Sequence, residues 1–82
     1  VSKSVFSEKY NRFRKLLIKA RQLANLTQSE LSAKLSRPQS YISKYERGER
    51  RLDLIEFLEV AKALQIEPAT FIKKLLEEKE EN

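Results

Sequence analysis

The stretch from Leu26 to Arg51, LTQSELSAKLSRPQSYISKYERGERR, is punctuated so tightly that it leaves room only for short helices. Thr27, followed three residues later by Glu30, is a capping box, so a helix is expected from Gln28 to Leu35, with Leu31 and Leu35 on its inner side. Pro38 interrupts the chain three residues further on. Proline disfavours helical geometry in the residue before it and suits the first turn of a new helix, so the next helix is predicted over 38–47. Gly48, the sole glycine of the chain, supplies the stop. Ile42 and Tyr45 fall on the inward side of this third helix. Its outer side carries Gln39, Ser40, Ser43, Lys44 and Arg47, with no acid among them. A short helix that shows water a row of amides, hydroxyls and cations needs a partner of opposite character.

The flanking segments also have helical periods. Ser7 is a plausible N-cap, and Phe13, Leu16, Leu17, Ala20 and Leu23 or Ala24 recur at the spacing of one helix face. Arg12, Lys15, Lys19 and Gln22 form the opposite, solvated face, and Asn25 suits the end. Asp53 and Glu56 make a second capping box, opening a helix over 54–64 that is expected to bury Leu54, Phe57 or Leu58, Ala61 and Leu64. Ile66 packs beyond it, and Pro68 opens a fifth helix whose apolar stripe is Phe71, Ile72, Leu75 and Leu76. No strand alternation of useful length appears. The reading is one all-α domain spanning the 82 residues, with a core over about 8–76 and an acidic tail, 77–82, that frays.

Charge and composition narrow the function. The chain has 17 basic and 12 acidic residues, but four of the acids, Glu77, Glu78, Glu80 and Glu81, belong to the tail. Residues 1–76 then carry 16 basic and 8 acidic side chains, a balance compatible with a polyanionic partner. Cysteine and histidine are both absent, which removes thiolate chemistry, zinc-thiolate sites and the commonest general base. One glycine is too few for a phosphate-cradling loop. The expectation is therefore a non-enzyme with no cofactor and no metal. No apolar run approaches the roughly 18 residues that span a bilayer, and the opening VSKSVFSEKY lacks a signal-peptide pattern. A cytoplasmic domain without a membrane partner is expected.

A helix, a tight turn and a short, outwardly polar-basic second helix form a helix-turn-helix, and a B-DNA major groove, about 12 Å wide, admits one such helix. Three motifs sharpen this reading: L-T-Q-x-x-L from Leu26, I-S-x-x-E-x-G from Ile42, and A-x-A-L-x-I from Ala61. In combination they resemble the Cro/repressor-type (XRE-like) helix-turn-helix family of bacterial and phage transcriptional regulators over about residues 10–71.

The resemblance implies a five-helix, lambda-repressor-like DNA-binding fold and a sequence-specific transcriptional regulator, a repressor or controller, whose partner is double-stranded DNA. Position by position, it implies that Gln39, Ser40 and Lys44 face base edges. Arg37 and Tyr41 would flank them on bases or backbone, the Tyr41 ring either standing in the groove or packing on the second helix. Gln28 would bond a phosphate and brace the recognition helix, and Ser43, Arg47, Arg50 and Arg51 would lie along phosphates. Arg21 and Glu46 would form a structural ion pair. The chain departs from the family pattern at Ser36, where the turn often has glycine, and at Ser32, where alanine is usual. Such regulators commonly dimerise to place two recognition helices about 34 Å apart, and Phe71, Ile72, Leu75 and Leu76 are the candidate dimer residues. The alternative is an antitoxin or other interaction module that uses the same fold to hold a protein partner.

Overall fold

Five helices are set by their caps. The computed structural model describes residues 7–77, and in these the order is α1 (Glu8–Leu23), α2 (Gln28–Leu35), α3 (Gln39–Arg47), α4 (Leu54–Leu64) and α5 (Pro68–Leu76). The fraying expected for the acidic tail concerns residues that, beyond Glu77, lie outside the described ones. Ser7 Oγ accepts from the Tyr10 amide at 3.0 Å, and both capping boxes are complete: Thr27 with Glu30 and Asp53 with Glu56. Each satisfies orphan amides of a first helical turn. Glu67 caps α5, its carboxylate accepting from the Thr70 amide at 2.9 Å and the Thr70 hydroxyl at 2.8 Å; the sequence reading had credited that start to Pro68 alone.

The helix ends are as local as the starts. Asn25, Ser36, Gly48 and Gln65 all take the left-handed conformation that closes a helix. Only Gly48 does so without a Cβ penalty; Ser36, at φ 56 and ψ 43, takes the left-handed angle at the position where the family often has glycine. The third helix differs by one residue from expectation. Pro38 has φ −68 but ψ 153, so it is the N-cap and α3 begins at Gln39. Proline fixes φ and leaves ψ free to stay extended, which makes room for the turn.

The core gathers one stripe from every helix: Leu17 of α1, Leu31 of α2, Ile42 and Tyr45 of α3, Val60, Ala61 and Leu64 of α4, and Phe71 of α5. Phe13, Phe57 and Phe71 meet pairwise with ring centroids 5.2–5.8 Å apart, two of the contacts edge-on, and so join α1, α4 and α5. Of the alternatives at 57 and 58, Phe57 is the core residue and Leu58 is on the surface. Leu54 is a correction, since it is 63% exposed. It lies in line with Phe57 and Ala61 but on the first residue of α4, at the rim of a groove shared with Ile72 and Leu75. Leu23 and Ala24 are likewise exposed at the end of α1. Phe71, expected among the dimer residues, is buried in the aromatic triangle and belongs to the core of this chain.

Candidate nucleic-acid interface

The two helices around the turn are joined by three residues, 36–38. The Ser36 amide donates to the Ala33 carbonyl at 3.1 Å and the Arg37 amide to the Ser32 carbonyl at 3.0 Å, which closes α2 and turns the chain sharply into α3. Ser32 is buried, and its hydroxyl donates to the Ser29 carbonyl at 2.8 Å, so a residue larger than the usual alanine is accommodated with its polar group satisfied.

α3 divides cleanly. Tyr41, Ile42, Tyr45 and Glu46 are buried; Gln39, Ser40, Lys44 and Arg47 are exposed and Ser43 half-exposed. The one acid of the helix is thus turned inward. Glu46 is 6% exposed and receives Arg21 Nε at 2.7 Å, Arg21 Nη2 at 3.1 Å and Gln28 Nε2 at 2.8 Å. Arg21 Nη1 also donates to the Leu26 carbonyl at 2.8 Å, and Arg14 donates to the backbone carbonyl of Glu46. The guanidinium and carboxylate each have several partners, which is the condition for holding a charge pair away from water. Gln28 in turn accepts from Gln39 Nε2 at 3.4 Å, a long bond that reaches the exposed row. The bracing role expected of Gln28 is present in this geometry, and its phosphate contact belongs to the proposal below.

The arginines expected at DNA are each met by a carboxylate or an aromatic ring. Arg37 Nη2 lies 3.0 Å from Glu59 Oε1, and Arg47 grips Glu49 at 3.0 and 3.1 Å. Arg50 holds both oxygens of Glu56 at 2.7 and 3.2 Å. Glu56 also accepts from the Asp53 amide, and the two contacts, Arg50 first, pull its carboxyl down to about 2. Arg47 similarly holds Glu49 below the ordinary carboxylate range. Arg51 lies over the Tyr10 ring, 4.3 Å from its centroid. The sequence reading missed Glu49, Glu56 and Glu59 as partners. The i, i+3 spacing of Glu56 and Glu59 was visible, but which face of α4 turns toward α3 is a property of the assembled fold.

Of the two readings of Tyr41, the structure takes burial. The ring is 8% exposed, meets Tyr45 edge-on at 5.8 Å, and lies against the guanidiniums of Arg37 and Arg50 at 4.5 and 4.7 Å. Desolvation at this place also raises its phenol above the ordinary tyrosine range. The residues brought together on the exposed face are Gln39, Ser40, Ser43 and Lys44, with Arg47 at the far end.

Among the described residues no group of three or more acidic side chains is arranged to hold a metal ion, and no helix is long and apolar enough to cross a membrane.

Comparison with known proteins agrees with this architecture. A helix-turn-helix family model matches residues 17–71. No curated protein matches the sequence. An XRE-family like protein from Pseudomonas syringae pv. tomato str. DC3000 is 44% identical over 83% of each chain, with a TM-score of 0.80. The restriction-modification controller protein C.Esp1396I is 25% identical over 88% of this chain and 95% of its own, also at 0.80. That controller has been solved as a tetramer in complex with its natural 35 base-pair operator, in which its fold superposes on this one at 0.79. With 55 consecutive residues matched by the family model and a 44% identical structural relative, the chain belongs to the helix-turn-helix family, in its XRE-like branch.

Proposed function

We propose that this protein is a non-catalytic, sequence-specific DNA-binding transcriptional regulator, a repressor or controller, that acts in the cytoplasm as a homodimer. The observation that carries the reading is the acid-free row Gln39, Ser40, Ser43 and Lys44, presented on a helix whose single acid is turned inward and locked. Glutamine pairs bidentately with adenine, and lysine reaches guanine O6 and N7. Ser40 and Gln39 sit at the helix start, where free amides and the helix dipole favour phosphate. In this reading Gln28, Ser43, Arg47, Arg50 and Arg51 fix register on phosphates while Gln39, Ser40 and Lys44 read bases. The 25% identical controller bound to its operator supports the same use of the fold.

The dimer rests on a second surface. Leu54, Ile55 and Leu58 of α4 and Ile72 and Leu76 of α5 are exposed apolar side chains, and Leu75 is half-buried between them and the core. Leu54, Ile72 and Leu75 line one groove. Isolated exposed leucines are ordinary, whereas a contiguous group on two adjacent helices signals an interface. One module reads about one half-site, too little for specific occupancy, and pairing through this face supplies the second. Selection of bound DNA from a random pool tests both points. A pseudo-palindromic consensus with half-sites about one helical turn apart is the expected result; absence of any enriched sequence rejects the reading.

A further inference from the structure

Arg37 occupies a place where its backbone is fixed and its side chain is not. Ser36 before it is held in the left-handed region at φ 56, Pro38 after it is held at φ −68, and its own amide is committed to the Ser32 carbonyl at 3.0 Å. The guanidinium can therefore change partners only by side-chain rotation. It lines two adjoining recesses. One, shared with Ser40 and Lys44, opens on the exposed face of α3; the other, shared with Glu59 and Lys62, lies over α4. In the unbound protein it bonds Glu59 at 3.0 Å while lying over the Tyr41 ring.

Apart from the buried Arg21–Glu46 pair, the three arginine–glutamate pairs around α3 differ in kind. Glu56 is gripped through both oxygens by Arg50 and also accepts from the Asp53 amide at the start of α4, so this pair is held by more than one bond. Glu49 is two residues beyond Arg47, which ends α3, so that pair is local in the chain. Glu59 stands in the middle of α4 with no capping duty, and its pair with Arg37 is a single bond between side chains that are 47% and 35% exposed. Such a pair is weak and readily exchanged. A DNA phosphate, or guanine O6 and N7, offers the same guanidinium a bidentate acceptor.

We propose that Glu59 is a specificity-determining residue that competes with DNA for Arg37: the side chain parks on Glu59 in the free protein and transfers to DNA only where a suitable acceptor lies within its reach. The proposal rests on the DNA-binding reading above. By holding the arginine back, Glu59 adds the cost of breaking this pair to every complex that uses Arg37 and nothing to one that does not.

A double-mutant cycle on the selected consensus duplex, at one fixed salt concentration, tests this. Glu59→Gln is expected to tighten binding by about two- to five-fold, the range of an exposed ion pair. In an Arg37→Ala background the same change is expected to do almost nothing, because the competitor no longer has anything to hold. Equal tightening in both backgrounds would mean that Glu59 only repels DNA at long range, and the proposal falls. No tightening in either background overturns it as well. Failure of the DNA-binding reading is distinguishable, since the unmodified protein would then select no duplex and Lys44→Ala would change nothing.

Discussion

Arg21 and Glu46 form a two-pronged ion pair, 2.7 and 3.1 Å, that ties α1 to α3 in the interior, and Gln28 of α2 donates to the same carboxylate at 2.8 Å. Three helices thus converge on one acid. Glu46→Ala leaves the Arg21 guanidinium, 14% exposed, without its charge partner and the Gln28 amide without an acceptor. Removing one member of a buried pair costs about 3 kcal/mol, which urea denaturation should register as a lowered midpoint with little change in slope. Glu46→Gln keeps the shape and one acceptor oxygen and should lose distinctly less. A loss as small for Ala as for Gln would show that the pair orients α3 without supporting the fold.

Lys44 and Arg51 are expected to act on DNA in different currencies. Lys44 is exposed in the middle of the acid-free row, while Arg51 lies past the helix end over the Tyr10 ring. Lys44→Ala should relax preference at one base position, costing about 1–3 kcal/mol on the preferred sequence and little on others. Arg51→Ala should weaken all sequences alike and reduce the slope of log affinity against log salt by about 1. Binding of the selected duplex and a scrambled one at several salt concentrations separates the two. Matching, salt-independent losses would contradict this division of roles.

What the sequence made legible follows from what is local. Capping boxes, the proline before α3 and the glycine after it act within four or five residues, so the helix order and nearly every boundary could be read directly, and the Arg21–Glu46 pair followed from a resemblance whose motifs span the fold. Tyr41 and Phe71 were harder for one shared reason. Each sits on a helix face wide enough to serve core or surface, and only the approach of a second helix decides which. Tyr41 is covered by the guanidiniums of Arg37 and Arg50 from the turns on either side of α3, and Phe71 by Phe13 and Phe57. The carboxylates facing Arg37 and Arg50 were hidden for a related reason: they come from α4, whose side toward the turns flanking α3 is set only by the assembled fold.

Tyr45 should make the protein sensitive to alkali. Its ring is 1% exposed, its hydroxyl is buried without a hydrogen-bond partner, and burial, aided by the Glu46 carboxylate, pushes the phenol well above its usual value. In the unfolded chain it titrates near pH 10. Between that pH and the folded value the unfolded state has released a proton that the native state retains, so unfolding is favoured as pH rises. Stability is therefore complete below about pH 10 and declines above it, with Tyr41 contributing in the same direction. Tyr45→Phe removes the orphan hydroxyl, so at neutral pH it should be neutral or stabilising by up to about 1 kcal/mol, and the alkaline decline should become shallower. Urea midpoints measured at pH 8, 10 and 11 on both proteins check this, and an equally steep decline in the variant would assign the effect elsewhere.

The apolar face of α4 and α5 can be separated from the one other strongly exposed leucine. Leu54, 63% exposed, begins α4 beside Ile72 and Leu75, whereas Leu23, 74% exposed, ends α1 away from that groove. An acid is well placed at the start of a helix and a cation at its end, so Leu54→Glu and Leu23→Lys should both leave the monomer folded with near-unchanged stability. Their effects on association should differ. Burying an unpaired carboxylate against a second copy is costly, so Leu54→Glu should shift the protein to monomer in sedimentation velocity and abolish cooperative filling of a two-half-site duplex. Leu23→Lys should sediment as the unmodified protein does. If Leu23→Lys dissociates the dimer and Leu54→Glu does not, the copies meet through α1, and the spacing of the two recognition helices must be derived from that contact instead.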